Sequence, residues 1–253
     1  MGFGVFFLRI ERVKFHNMRV SLKISLCLFV FFIAVLNNGC KKDPPKVVPT
    51  LTTTAIIGIT STSATGVANI DNDGGSPVTI RGICWNTSQN PTVNNFKTSD
   101  GSGIGNFISN ITGLSPGTTY YFRSYATNVI GTTYGNQLIG TTLAVLPSIT
   151  TSQASNITSS SITCGGVVIS DGGSSVTIRG VCWSTNQSPT INDSKTSDGS
   201  GINGFVSNIS GLNPGTTYYI RAYATNIIGT IYGNQISVTT LAKIGRASCR
   251  ERV

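Results

Sequence analysis

The sequence predicts an all-β chain made of two tandem β-sandwiches behind a short apolar leader. Three observations predict it. The chain is poor in charge and rich in small polar residues, with 29 glycines among 253 residues and 11% charged residues, a composition produced by many short strands and tight turns. Its second half repeats its first at a fixed offset of 98 residues, and 48 of the 68 pairs between 76–143 and 174–241 are identical. Outside the leader no stretch has helical periodicity, whereas short alternating runs recur between Gly- and Asp-rich breaks.

The leader begins at Met18, and residues 1–17 read as an upstream in-frame extension. Met18-Arg-Val-Ser-Leu-Lys23 is a short basic segment, and Ile24 to Leu36 is an apolar run of 13 residues. That run is shorter than the roughly 20 residues a spanning helix needs. Residues 18–39 therefore read as a secretory signal peptide ending at Gly39. Leu36-Asn-Asn-Gly39-Cys40 resembles a bacterial lipobox, which implies a lipid on Cys40 as the mature N-terminus. Plain cleavage near Gly39 is the alternative. Residues 40–47 then form a lipidated Cys and a Pro-stiffened tether, Lys41-Lys-Asp-Pro-Pro-Lys46. The resemblance implies a membrane attachment through the lipid and an outer-membrane, surface-facing location.

The first repeat is expected over 48–143 and the second over 146–241, joined by a short linker around Ala144–Pro147. A unit of about 95 residues can bury a core of its own. Strands are expected over Val78–Trp85, Thr119–Thr127 and Tyr134–Thr142, and at the offset of 98 in the second repeat. Asp73-Gly-Gly, Asp100-Gly, Asp171-Gly-Gly and Asp198-Gly carry hairpin-turn chemistry. Lys243–Val253 is identical to one reading frame of a common sequencing adapter and is set aside as an artefact, with the natural chain expected to continue past Ala242.

Leu114-x-Pro-Gly-Thr-x-Tyr120, followed by Tyr-x-Arg-x-Tyr-Ala-Thr-Asn128-x-x-Gly131, resembles the E–F corner and F strand of fibronectin type III domains. The match recurs at Leu212–Gly229. It is nearest to the variant abundant in surface proteins of Bacteroidota, with its Arg-Gly-x-Cys-Trp strand at 81–85 and 179–183. The resemblance implies tandem Ig-like, fibronectin type III-like Greek-key sandwiches of seven strands after a lipoprotein signal peptide. It makes Tyr120 and Tyr218 corner tyrosines that bond back to the upstream backbone.

Charge and chemistry narrow the function. The net charge of +9 sits at the ends, because the stretch 51–242 carries six basic and six acidic residues. That excludes a nucleic-acid footprint. The single histidine, His16, lies ahead of the signal, so Ser-His and Cys-His nucleophilic pairs have no partner in the mature chain. No glutamate stands between 51 and 242, and the aspartates sit in turn contexts. Asp71-Asn-Asp73-Gly74 begins like a calcium loop, but no downstream Glu completes it and the second repeat loses one of its carboxylates, so a plain turn is favoured. No catalytic residue, metal site or cofactor is therefore expected. Cys84, Cys164 and Cys182 read as buried thiols, with a Cys164–Cys182 bridge as the alternative.

One surface invites recognition. If Tyr120, Phe122 and Ala126 face inward, then Tyr121, Arg123 and Tyr125 face outward. If Ile80 and Cys84 also face inward, Arg81, Ile83 and Trp85 join that outer face. The second repeat offers Arg179, Trp183, Tyr219, Arg221 and Tyr223. Such a face is either a glycan- or protein-binding platform or a self-satisfied ladder of cation–π pairs. The favoured expectation is a non-catalytic, lipid-anchored spacer that displays a missing C-terminal part. An adhesion module that captures an extracellular glycan or surface protein is the rival.

Overall fold

The computed structural model describes residues 43–243. The expectations for residues 1–17, the signal at 18–39, Cys40 and all of the tail but Lys243 lie outside the described residues. The described residues hold 16 strands and no helix. The first sandwich contains β1 (Thr50–Ile57), β2 (Ser63–Asn72), β3 (Ile80–Asn86), β4 (Phe96–Lys97), β5 (Gly105–Thr112), β6 (Thr119–Thr127), β7 (Thr132–Tyr134) and β8 (Leu138–Thr141). The second contains β9 (Ser148–Thr151), β10 (Ser161–Ser170), β11 (Ile178–Ser184), β12 (Ser194–Lys195), β13 (Asn203–Ser210), β14 (Thr217–Thr225), β15 (Thr230–Tyr232) and β16 (Ile236–Thr239).

In the first sandwich a three-stranded sheet, β1-β2-β5, faces a five-stranded one, β4-β3-β6 with β7 and β8 both on the far edge of β6. The second sandwich repeats this as β9-β10-β13 against β12-β11-β14 with β15 and β16. Every pairing is antiparallel, and no strand of one sandwich pairs with the other. Both sandwiches belong to one compact unit that starts at Lys46.

Two local expectations change. The strand expected over 134–142 is broken into β7 and β8, because its middle residues serve other segments. Asn136 Oδ1 accepts the Thr53 N–H at 3.0 Å, and Gln137 Oε1 accepts the Asn90 N–H. Counting β7 and β8 as one interrupted edge gives seven strand positions. The Asp73 and Asp100 turns are not hairpins, because β2 and β3, and likewise β4 and β5, lie in different sheets. The aspartate chemistry is still that of a turn, with Asp73 Oδ1 accepting the Gly75 N–H at 2.8 Å. Turn chemistry is local; whether the flanking strands pair is decided by how the sheets close.

Alternation along β2, β5 and β6 fills each interior. Ala68, Ile70, Ile83, Ile111 and Phe122 are buried in the first core, and Val168, Val181, Ile209 and Ile220 in the second. Volume is conserved between the copies by paired exchanges. Gly66 stands where the second copy has Cys164, and a Cβ on Gly66 would lie 2.9 Å from Ile83 Cγ1. The second copy has the smaller Val181 there, which leaves room for the Cys164 thiol. Likewise Phe122 packs over Gly140, 3.2 Å from where its Cβ would be, while the second copy has Ile220 with a buried Val238. Cores tolerate substitution that keeps total volume.

Candidate functional site

The residues expected to form an outer face do not share one. Pairing between β3 and β6 sets their sides. Arg81 lies opposite Ala126, Ile83 opposite Ser124 and Trp85 opposite Phe122, so these turn inward. Gly82, Cys84 and Asn86 lie opposite Tyr125, Arg123 and Tyr121, and these turn outward. The second sandwich has the same register, with Arg179 opposite Ala224 and Trp183 opposite Ile220. The expectation placed β3 and β11 one residue out of phase, which moves every side chain to the other face. The physical reason is that β3 is covered on both sides from Gly82 to Trp85, so a buried cysteine does not mark the core side.

Trp85 is therefore a core residue, 8% exposed and packed with Ile83 and Phe122. It also stacks on Phe96 across the sheet edge, with centroids 6.0 Å apart and planes 20° apart. Trp183 packs partly buried against its own core, where Ser194 stands in place of Phe96. Arg81 turns in at the rim between the sheets. Its guanidinium carbon lies 5.0 Å from the Phe107 ring centroid, and Nη1 donates to the Gly103 and Ile104 carbonyls at 3.2 and 3.1 Å. Arg179 repeats this over Phe205 at 5.2 Å, donating to Gly201, Ile202 and Asn203.

The outward residues do not form an open platform either, because the chain's own loop 87–95 lies on them. Cys84 Sγ donates to Pro91 O at 3.4 Å, the Val93 N–H donates to Tyr134 Oη at 3.2 Å, and Gln137 holds the Asn90 amide. Beneath this cover Tyr125 is 1% exposed, and its Oη donates to Thr98 O at 2.6 Å. Its ring fills the space over Gly82, where a Cβ would collide with the Thr98 carbonyl. Arg123 stacks on Tyr134 at 4.8 Å and donates Nε–H to Gly135 O at 3.0 Å. In the second sandwich Arg221 stacks on Tyr232 at 4.7 Å, and Tyr223 is buried with its Oη on Thr196 O. Tyr121 and Tyr219 remain half-buried on the outer face.

Burial shifts the titrating groups in one direction. Desolvation pushes the Cys84 and Cys182 thiols up to about 11, against the lowering effect of Arg123 and Arg221 respectively. Desolvation, then the nearby aspartates, raises Tyr125 and Tyr223 as well. All three described cysteines are free and buried. Cys164 faces the core of its sandwich while Cys182 faces out from the opposite sheet, so the bridge considered from sequence does not form.

Tyr120 Oη accepts the Ser115 N–H at 3.0 Å, and Tyr218 Oη accepts the Asn213 N–H at 3.0 Å. Thr142 reinforces the first corner by donating to Ser115 O at 2.6 Å, and Thr240 does the same for the second through Asn213 O at 2.6 Å. Sequence reasoning missed the role of one asparagine at the entry of each sandwich. Asn128 Nδ2 donates to Val47 O and Asp73 O, and Asn226 Nδ2 to Val145 O and Asp171 O. Their repeat at the offset of 98 was the available signal. Through them Val47 belongs to the first sandwich rather than to the tether. Among the described residues no group of three or more His, Cys, Asp or Glu gathers as a metal site, and no helix is long and apolar enough to cross a membrane.

No family model matches the chain, and no curated protein matches it.

Proposed function

We propose that the chain is a non-catalytic, lipid-anchored envelope protein whose tandem fibronectin type III-like sandwiches act as spacer and display modules. One observation carries the reading. The four arginines, Tyr125 and Tyr223 are engaged within their own sandwich, with Arg179 Nε the one buried arginine nitrogen among the described residues left without a partner, and only Tyr121 and Tyr219 stay half-exposed on the outer face. Each of the four arginines stacks on an intramolecular ring and donates to backbone carbonyls, and loop 87–95 covers the outer face of the first sandwich. Groups satisfied in this way gain little from a ligand that must first displace their partners. The lipid reading rests on Cys40 at the end of the apolar leader.

The test replaces Tyr121 and Tyr219, the half-exposed aromatics, with alanine and measures binding to a glycan array and to whole cells, with Cys40→Ala as the anchoring control. A spacer keeps its surface display in the double variant and loses membrane association only in Cys40→Ala. Saturable binding by the parent chain that disappears in the double variant, with an unchanged melting curve, would overturn the spacer reading in favour of recognition.

A further inference from the structure

The joint between the sandwiches is a built contact, and half of it is repeated unfilled at the far end. Leu143 O accepts the Gly117 N–H at 3.2 Å as the chain leaves the first sandwich, and the Val145 N–H donates to Gly172 O at 2.8 Å as it enters the second. Only Ala144 lies between these two anchored residues. The corner Pro116–Gly117 presses directly on the Asp-Gly-Gly loop of the second sandwich. A Cβ on Gly117 would collide with the Gly173 carbonyl, and one on Gly173 with the Pro116 carbonyl. Glycine on both sides permits this backbone-to-backbone approach.

The second sandwich carries the same corner, Pro214-Gly-Thr-Thr217, with Gly215 at φ +63° against +58° at Gly117. It is held in the same shape by Tyr218 and Thr240, and Gly215 donates to Leu241 O at 3.1 Å as Gly117 does to Leu143 O. Yet among the described residues no atom beyond its own chain neighbours lies within 4 Å of where a Cβ on Gly215 would be. The contact is head-to-tail, so each sandwich carries one corner and one loop, and the same contact is able to recur between successive sandwiches of a tandem chain.

We infer that the Asn213–Thr216 corner is a docking surface for the Asp-Gly-Gly loop of a further sandwich of this kind joined in tandem, in the register of the internal joint. The occupant is specified by its chemistry: a glycine pair after an aspartate turn, an entry residue whose amide reaches the loop carbonyl, and an asparagine to hold both. The tandem source follows from Leu241, whose carbonyl bond to Gly215 aims the outgoing chain as Leu143 is aimed. The array then behaves as a jointed rod of fixed bend rather than as beads on a string. This deepens the spacer reading and rests on it only for the use of the rod, since a flexible array would still space.

The experiment repeats residues 145–242 once after Ala242 of the full chain, so that a single alanine again separates the two anchored residues. Spin labels go on Asn110 and Asn208 in one sample, and on Asn208 and its counterpart in the added sandwich in another. Both pairs are expected to give the same narrow distance distribution. Gly215→Asn is expected to broaden only the second pair and Gly117→Asn only the first. Asparagine tolerates positive φ, so an unchanged melting curve for Gly215→Asn in the parent chain separates a blocked joint from a damaged fold. A broad second distribution with Gly215 intact, or one that ignores Gly215→Asn, overturns the inference. So does concentration-dependent association of the parent chain that Gly215→Asn abolishes, which would give the corner to a separate copy.

Discussion

Trp85 and the covered cysteines carry the clearest consequences of single side chains. Trp85 is buried between Phe122 and Phe96, so Trp85→Ala opens a large cavity and is expected to destabilise the first sandwich by about 3–5 kcal/mol in urea unfolding. Trp183 lacks the Phe96 partner and is only partly buried, so Trp183→Ala is expected to cost clearly less. A binding role for either tryptophan would need it exposed. The thiols give a pH signature. Cys84 and Cys182 are raised from 9.0 to about 11, so the neutral thiol is favoured in the folded chain. Their contribution to stability is complete below pH 9. It falls as the unfolded thiols ionise, and is lost as pH rises through about 11. Urea midpoints measured from pH 8 to 11 are expected to decline, and the decline should flatten in Cys84→Ala with Cys182→Ala. In native buffer below pH 9 the described thiols should resist alkylation and become reactive only on unfolding.

At the level of strands, the paired exchanges can be tested as a cycle. Gly66→Cys places a side chain against Ile83 and is expected to destabilise by about 1–3 kcal/mol. Adding Ile83→Val recreates the arrangement of the second copy and should recover part of that loss, a coupling that chemical unfolding of the three variants would read directly. The same elements show what was legible beforehand. β6 was readable because its inward residues Tyr120 and Phe122 alternate with the half-buried Tyr121 and Arg123 before the strand becomes buried on both sides at Tyr125. The corner was readable because Pro-Gly-Thr-Thr-Tyr states its own turn. β3 was not, because Ile83, Cys84 and Trp85 are all buried, on two different faces, and alternation in polarity vanishes when loop 87–95 covers the side away from the core. The break between β7 and β8 was hidden for a related reason. Asn136 and Gln137 look like ordinary strand residues until their long-range partners, Thr53 and Asn90, are known.

For the molecule as a whole, the two corner glycines separate local strain from a joint between sandwiches. Both have positive φ and the same neighbours in sequence, but only Gly117 is pressed by another backbone. Gly117→Asn is therefore expected to decouple the sandwiches and split their thermal unfolding into two steps in calorimetry, while Gly215→Asn leaves the parent chain's transition unchanged. The near-identity of the two copies has a different cost, paid during folding. A chain refolding from denaturant can lay β8 beside β14, or β16 beside β6, with nearly every backbone hydrogen bond in place, because the registers of the two copies coincide. What distinguishes native from exchanged pairing is bulk. Gly140 beside Ile220 leaves a void, and Val238 beside Phe122 is overfilled. These compensated residues serve as address labels, telling each strand which half of a duplicated chain it belongs to.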